Sequence, residues 1–124
     1  MDEVIGAKIC NYWMRMKRSK IEEFALCLRE ERFYDAHEAL EALWFPRRFE
    51  KNNEVQLLKG LINASVALEL LVHKKRVPQS KKVWANYLKY RPLLYKTDSP
   101  YKNHYYQLSR YLESIYREKS LKTH

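Results

Sequence analysis

The stretch 57–71, LLKGLINASVALELL, constrains this chain more than any other. Leu57, Leu58, Leu61, Ile62, Ala64, Val66, Ala67, Leu68, Leu70 and Leu71 cover more than one face of a helix. A helix that is apolar nearly all round needs neighbours on most sides, at the centre of a bundle or at an oligomer interface. Gly60 within it costs roughly 1 kcal/mol relative to alanine, so its presence predicts a close helix crossing. The rest of the chain must supply the cover. With 2 Gly and 4 Pro in 124 residues it has few positions for the tight turns of a many-stranded sheet. No segment alternates like a strand. The length suits one core rather than two. The expected fold is therefore all-α: a single-domain bundle over 1–124 of about five to six helices, mostly antiparallel.

The punctuation of the chain divides it into those helices. Val4, Ile5, Ile9, Tyr12, Trp13 and Met16 recur at helical spacing, predicting a first helix over about 1–18. Ser19-Lys20-Ile21-Glu22 matches a capping box and predicts a second helix from there, with Ile21, Phe24, Ala25 and Leu28 inward and a break at 30–32. A third helix over about 34–45 turns Ala36, Ala39, Leu40, Leu43 and Trp44 inward and ends at Pro46. Asn52 or Asn53 can cap the apolar fourth helix, about 54–73, with Glu54 in its first turn. Pro78 fits the first turn of a fifth helix that runs to about Tyr90. Residues 91–100 read as a loop. A sixth helix over about 101–119 carries Tyr105, Leu108, Tyr111, Leu112, Ile115 and Tyr116 at helical spacing, and 120–124 should fray.

Charge is uneven along the chain. Residues 1–61 hold 11 Lys/Arg and 11 Asp/Glu, whereas residues 62–124 hold 13 and 4 and account for the whole +9. Eight of the ten tyrosines lie in that second half. A basic, tyrosine-rich half can attract polyanions, with Lys74, Lys75, Arg76, Lys81, Lys82, Lys89 and Arg91 as phosphate contacts. It can equally be a solvated surface, and no recognised nucleic-acid motif accompanies it. Cys10 and Cys27 are far apart and outside any CxxC pair, so they read as two thiols, Cys27 buried in its helix. The start MDEVIGAKIC lacks the basic-then-apolar pattern of a leader. No uninterrupted apolar run reaches the ~18 residues that span a bilayer. The expectation is a cytoplasmic protein without a membrane partner.

The third predicted helix, FYDAHEALEALW, carries the one polar cluster that looks placed rather than scattered. His37 and Glu41 are four apart, Glu38 and Glu41 three apart, and Trp44 lies on the same side. Three readings fit. The first is structural, with His37 bonded to Glu41 and fixing the bundle's register. The second is an acid/base or small-molecule pocket, since a half-buried histidine beside a carboxylate is one way to poise a base. The third is a metal site: His37 and Glu41 have the spacing of H-E-x-x-H with the second histidine replaced, and His73, His104 or Glu69 could add a third ligand.

FYDAHEALEALW followed by LLKGLINASVALELL resembles the small helical proteins grouped as domain-of-unknown-function family 309. That family's pattern is an aromatic, then E-A-H-E-x-x-E-x-x-W, then L-x-Q-G-L-I-x-x-A-V-A-L. The resemblance covers about 21–94 and puts His37, Glu38, Glu41, Trp44, Gly60 and Ala67 on motif positions. Asp35 stands for the usual glutamate. Lys59 stands for the usual glutamine, where it would pair with Glu38 or Glu41 and join the pocket candidates His37, Glu38, Glu41 and Trp44. The resemblance implies an all-α bundle and no reaction or cofactor. It leaves the N-terminal helix and the tyrosine-rich C-terminal helix as additions. Three functions stay open: a non-enzymatic interaction module that binds a protein or itself, a hydrolase-like or ligand pocket at His37, Glu38 and Glu41, and nucleic-acid binding by the basic half.

Overall fold

The computed structural model describes the backbone of residues 2–122 and the side chains of residues 12–122. Among these, five α-helices and no strand are found: α1 (Asp2–Arg29), α2 (Phe33–Trp44), α3 (Asn53–Leu68), α4 (Val77–Tyr90) and α5 (Lys102–Lys122). The first two predicted helices are one. Neither Gly nor Pro lies between Lys17 and Ile21 to break the backbone, and the capping box goes unused. Ser19 is exposed, and the Glu22 carboxylate accepts instead from Arg18 Nε one turn back, at 3.3 Å. The break comes where expected, with Glu31 at φ 57 in the left-handed region. Val4, Ile5, Ile9 and Cys10 have side chains outside the described residues.

Pro46 ends α2 in a 3₁₀ turn, Phe45–Arg47. Asn52 caps α3, its side-chain oxygen accepting from the backbone N–H of Glu54 at 2.8 Å and of Val55 at 3.3 Å. These are two of the donors that a helix start leaves open. α3 does not stay α-helical to His73: its last turn, Glu69–His73, widens to a π-helix. The expected loop at 91–100 begins with a 3₁₀ turn, Arg91–Tyr95. α5 runs three residues further than expected, to Lys122.

α3 is the central helix, with Leu57, Leu58, Leu61, Ala64, Ala67 and Leu68 all at 0% exposure. One core joins it to Phe24 and Leu28 of α1, Phe33, Leu40 and Leu43 of α2, Tyr87 of α4, and Tyr105 and Leu112 of α5. By length and composition Asn53–His73 would pass for a membrane span, although no uninterrupted apolar run in it is that long; 61% of the window is buried in this bundle, as in a core helix. The predicted close crossing occurs where α4 ends on α3: a Cβ on Gly60 would sit 2.6 Å from Tyr90 Cβ.

Consecutive helices are antiparallel. Phe33, at the start of α2, packs tilted against His73, beyond the end of α3, at 5.6 Å between ring centroids. Ser80, early in α4, donates to the Ala67 carbonyl late in α3 at 2.6 Å. Trp84 of α4 stacks on Tyr116 of α5 at 4.0 Å, while Tyr87 reaches back to Ser109. An odd number of alternating helices that closes on itself leaves its first and last members parallel. α1 and α5 are that pair: Lys17 and Tyr105 share a partner at one end, and Glu31 and Lys119 pair at 2.7 Å at the other.

Candidate functional site

The cluster on α2 forms on the helix's outer side. His37 Nε2 lies 2.6 Å from Glu41 Oε2, with the two side chains 23% and 42% exposed. Tyr34 meets the His37 ring edge-on at 5.7 Å. Glu38 is exposed, and its carboxylate holds the Tyr34 hydroxyl above the usual phenol range by accepting its proton in a hydrogen bond. Lys59 departs from expectation. Its ammonium lies over the rings of Trp44 and Tyr90, at 5.9 and 5.7 Å, rather than against Glu38 or Glu41. Trp44 is half-buried against the core.

The candidates for a third metal ligand, His73, His104 and Glu69, are placed elsewhere. His73 Nε2 is 2.9 Å from the Glu31 carbonyl, with Glu69 3.9 Å away. His104 is on α5 beside Tyr101. Among the described residues no three His, Cys, Asp or Glu side chains gather to hold a metal. The basic candidates are spread out. Lys74, Lys75 and Arg76 are exposed before α4, and Lys81, Lys82 and Lys89 are exposed along it. Arg91 at its far end donates to Glu113 at 2.8 Å, and the Tyr87 hydroxyl donates to the same carboxylate at 2.7 Å. Arg76 and Arg91 flank a 14-residue helix, hence stand about 20 Å apart.

A second polar cluster, buried, escaped the sequence reading. Glu54 in the first turn of α3 accepts from Lys17 Nζ at 3.1 and 3.2 Å, from Ser99 Oγ at 2.7 Å and from the Tyr105 hydroxyl at 2.6 Å. The Lys17 and Glu54 side chains are 5% and 11% exposed. Trp13 and Tyr101 flank the ammonium at 4.4 and 5.3 Å, and the Arg47 guanidinium lies 4.0 Å from the Trp13 ring. Burial, the Glu54 charge and the hydrogen bond to it push the Tyr105 hydroxyl far above its ordinary range. One signal was available: Lys17 lies four residues after Trp13 and four before Ile21, so it interrupts the apolar stripe of α1. An unpaired cation there would be costly, so a carboxylate had to meet it.

The α1 and α5 seam opens into a groove. Between its two ends it forms an open cleft of about 290 Å³, with Ile21, Ala25 and Leu108 as floor and Arg29, Gln107 and Tyr111 along its sides. It continues past Glu22 and His104 to Arg18 and Tyr101, and then to Met14 and Arg15. Tyr111, one of the residues at helical spacing on the last helix, is 40% exposed and forms part of this wall. Arg18 is paired with Glu22.

A family model described as a domain of unknown function (DUF309) matches residues 21–82, half of the chain. No curated protein and no solved structure matches. The matched span holds His37, Glu38, Glu41, Trp44, Lys59 and Gly60. Lys17, Ser99, Tyr105 and all of α5 lie outside it, so the buried network and the groove each join the family segment to the rest of the chain.

Proposed function

We propose, for a chain that belongs to the family described as domain of unknown function DUF309, a non-enzymatic role: a cytoplasmic helical module that binds another protein in the α1 and α5 groove. The observation that carries this is the groove itself. It exposes an apolar floor between two long helices whose other contacts are made, and its walls combine tyrosine, histidine and arginine. Aromatic and arginine side chains are the residue types enriched in binding hot spots. An apolar channel between helices suits a helix laid lengthwise. The polar cluster on α2 is read as architecture: His37 and Glu41 satisfy one another on a face where Tyr34 and Glu38 do the same.

Site-specific photo-crosslinking in the native cell tests the proposal. A photoreactive residue at Gln107, in the groove wall, is compared with one at Lys74, on a distant surface. The proposal expects a discrete crosslinked partner from position 107 that is absent from position 74. It expects that product to vanish when Ala25→Trp fills the floor while His37→Ala leaves it intact. No product, or equal products from both positions, defeats the reading.

A further inference from the structure

We infer that the occupant of this groove is an acidic amphipathic helix of a different protein. The inference rests on the docking reading above and adds the partner's chemistry, which the charges of the cleft define. Three arginines lie along it, Arg15, Arg18 and Arg29. Its carboxylate, Glu22, is taken up by Arg18 at 3.3 Å. Among the described residues neither Arg15 nor Arg29 has a carboxylate partner, and both are exposed. An apolar floor edged by unpaired arginines is complementary to a ligand with one apolar face and carboxylates on its flanks. Guanidinium groups bind carboxylates in a bidentate fork, which gives such flanks orientation as well as attraction.

The same charges argue against a second copy. The protein carries +9 overall, and α1 lines the groove with three arginines, Arg15, Arg18 and Arg29, to the one carboxylate of Glu22, so two copies placed groove to groove would set arginine against arginine. Like charges set against one another across an interface disfavour that pairing. Shape and length point to a helix. The groove follows α1 from Met14 to Arg29, which at 1.5 Å per residue is about 23 Å, the span of about four helical turns.

Binding of three fluorescein-labelled peptides, each of about four helical turns, tests this by anisotropy on the full chain. One has leucines at helical spacing with glutamate elsewhere. The second replaces every glutamate with lysine. The third has the composition of the first in a non-amphipathic order. The expected result is saturable binding of the glutamate peptide, with the other two at least about tenfold weaker, a difference of about 1.4 kcal/mol. Raising salt from about 0.1 to about 1 M, which shortens the screening length from about 10 to about 3 Å, should weaken it further. Arg15→Glu with Arg29→Glu, both at exposed positions, should reduce the affinity at least about tenfold while circular dichroism reports an intact fold. Equal or tighter binding of the lysine peptide, with Ala25→Trp abolishing it, would overturn the acidic partner and keep the groove. So would a dimer in sedimentation that Ala25→Trp dissolves, which would make a second copy the occupant. Failure of all three peptides together with an empty crosslinking result would remove the docking reading too.

Discussion

Lys17 and Glu54 form the buried pair on which the fold's stability should depend most sharply. Their side chains are 5% and 11% exposed, and they meet at 3.1 Å. Lys17→Met keeps most of the volume but leaves a buried carboxylate without its cation. Ser99, Tyr105 and the start of α3 still favour that charge, so the cost falls at the low end of the 3–5 kcal/mol seen for broken buried pairs, about 3 kcal/mol. Glu54→Gln leaves the buried ammonium without a counter-charge, with the Trp13 and Tyr101 rings and a neutral amide oxygen beside it, and costs about 3–5 kcal/mol. The double substitution removes both charges, and the glutamine oxygen can still accept from Tyr105 and Ser99. It should cost about as much as either single change rather than their sum, a coupling of about 3 kcal/mol. A domain of this size has about 5–15 kcal/mol in all, so each single variant should melt about 10–20 °C lower. Urea denaturation followed by circular dichroism at neutral pH measures all four corners of the cycle. Strict additivity, or single costs below about 1 kcal/mol, would refute the buried-pair account.

Three further outcomes follow from the same geometry. Gly60→Ala should destabilise by about 1–3 kcal/mol through overpacking despite alanine's gain of roughly 1 kcal/mol in helix propensity, and Tyr90→Ala should not rescue it because the clash is with Cβ; a melt unchanged or raised by Gly60→Ala would refute the close crossing. Burial and the neighbouring Glu113 and Glu54 carboxylates raise the Tyr87 and Tyr105 hydroxyls well above their ordinary pKa of 10.0, so their stabilising share is complete below pH 10 and drains away above it, at about 1.4 kcal/mol per pH unit for each; urea midpoints measured from pH 9 upward should fall, Tyr87→Phe and Tyr105→Phe should each flatten the fall, and a flat wild-type profile would count against both. His37→Ala should cost under about 1 kcal/mol, as part-exposed pairs do, with no change in the melting temperature of either protein on adding zinc or a chelator; a chelator effect on wild type alone would revive the metal reading.

Where the chain's own punctuation decides the structure, the sequence was legible. Pro46, Asn52 and Pro78 mark ends that the structure keeps, and the all-round apolar character of 57–71 marks the central helix. The capping box at Ser19 misled because its residues have a second use. Lys17 and Ile21 both pack inward on one continuous stripe, so tertiary burial holds the backbone helical through a local stop signal. The α2 cluster was legible as a cluster, since i, i+4 spacing places His37 on Glu41 whatever surrounds them. The Glu54 network was not. Its members stand 37, 45 and 51 residues apart in the chain, and only the closure of the bundle brings them together. Lys59 failed differently: two aromatic rings, one contributed by α4, outcompeted the carboxylates one helix away.

The groove follows from how the bundle closes. Short connections place consecutive helices side by side and antiparallel, and their facing stripes interlock. The closing pair, α1 and α5, has no connection to set its spacing and runs parallel, so the pins at its ends must do so. Lys17, Glu54 and Tyr105 pin one end, and Glu31 with Lys119 pins the other, 14 residues further along each segment, with Glu31 just past the end of α1. The pins are unequal. The first is buried and charge-assisted, whereas Glu31 is 48% exposed and its pair is one that solvent and salt weaken. The seam between them is therefore held more strongly at its Tyr105 end than at its Lys119 end. Lys119→Ala should accordingly leave the Lys17 and Glu54 coupling intact while changing how tightly the groove holds a peptide, whereas Tyr105→Phe should weaken the whole bundle.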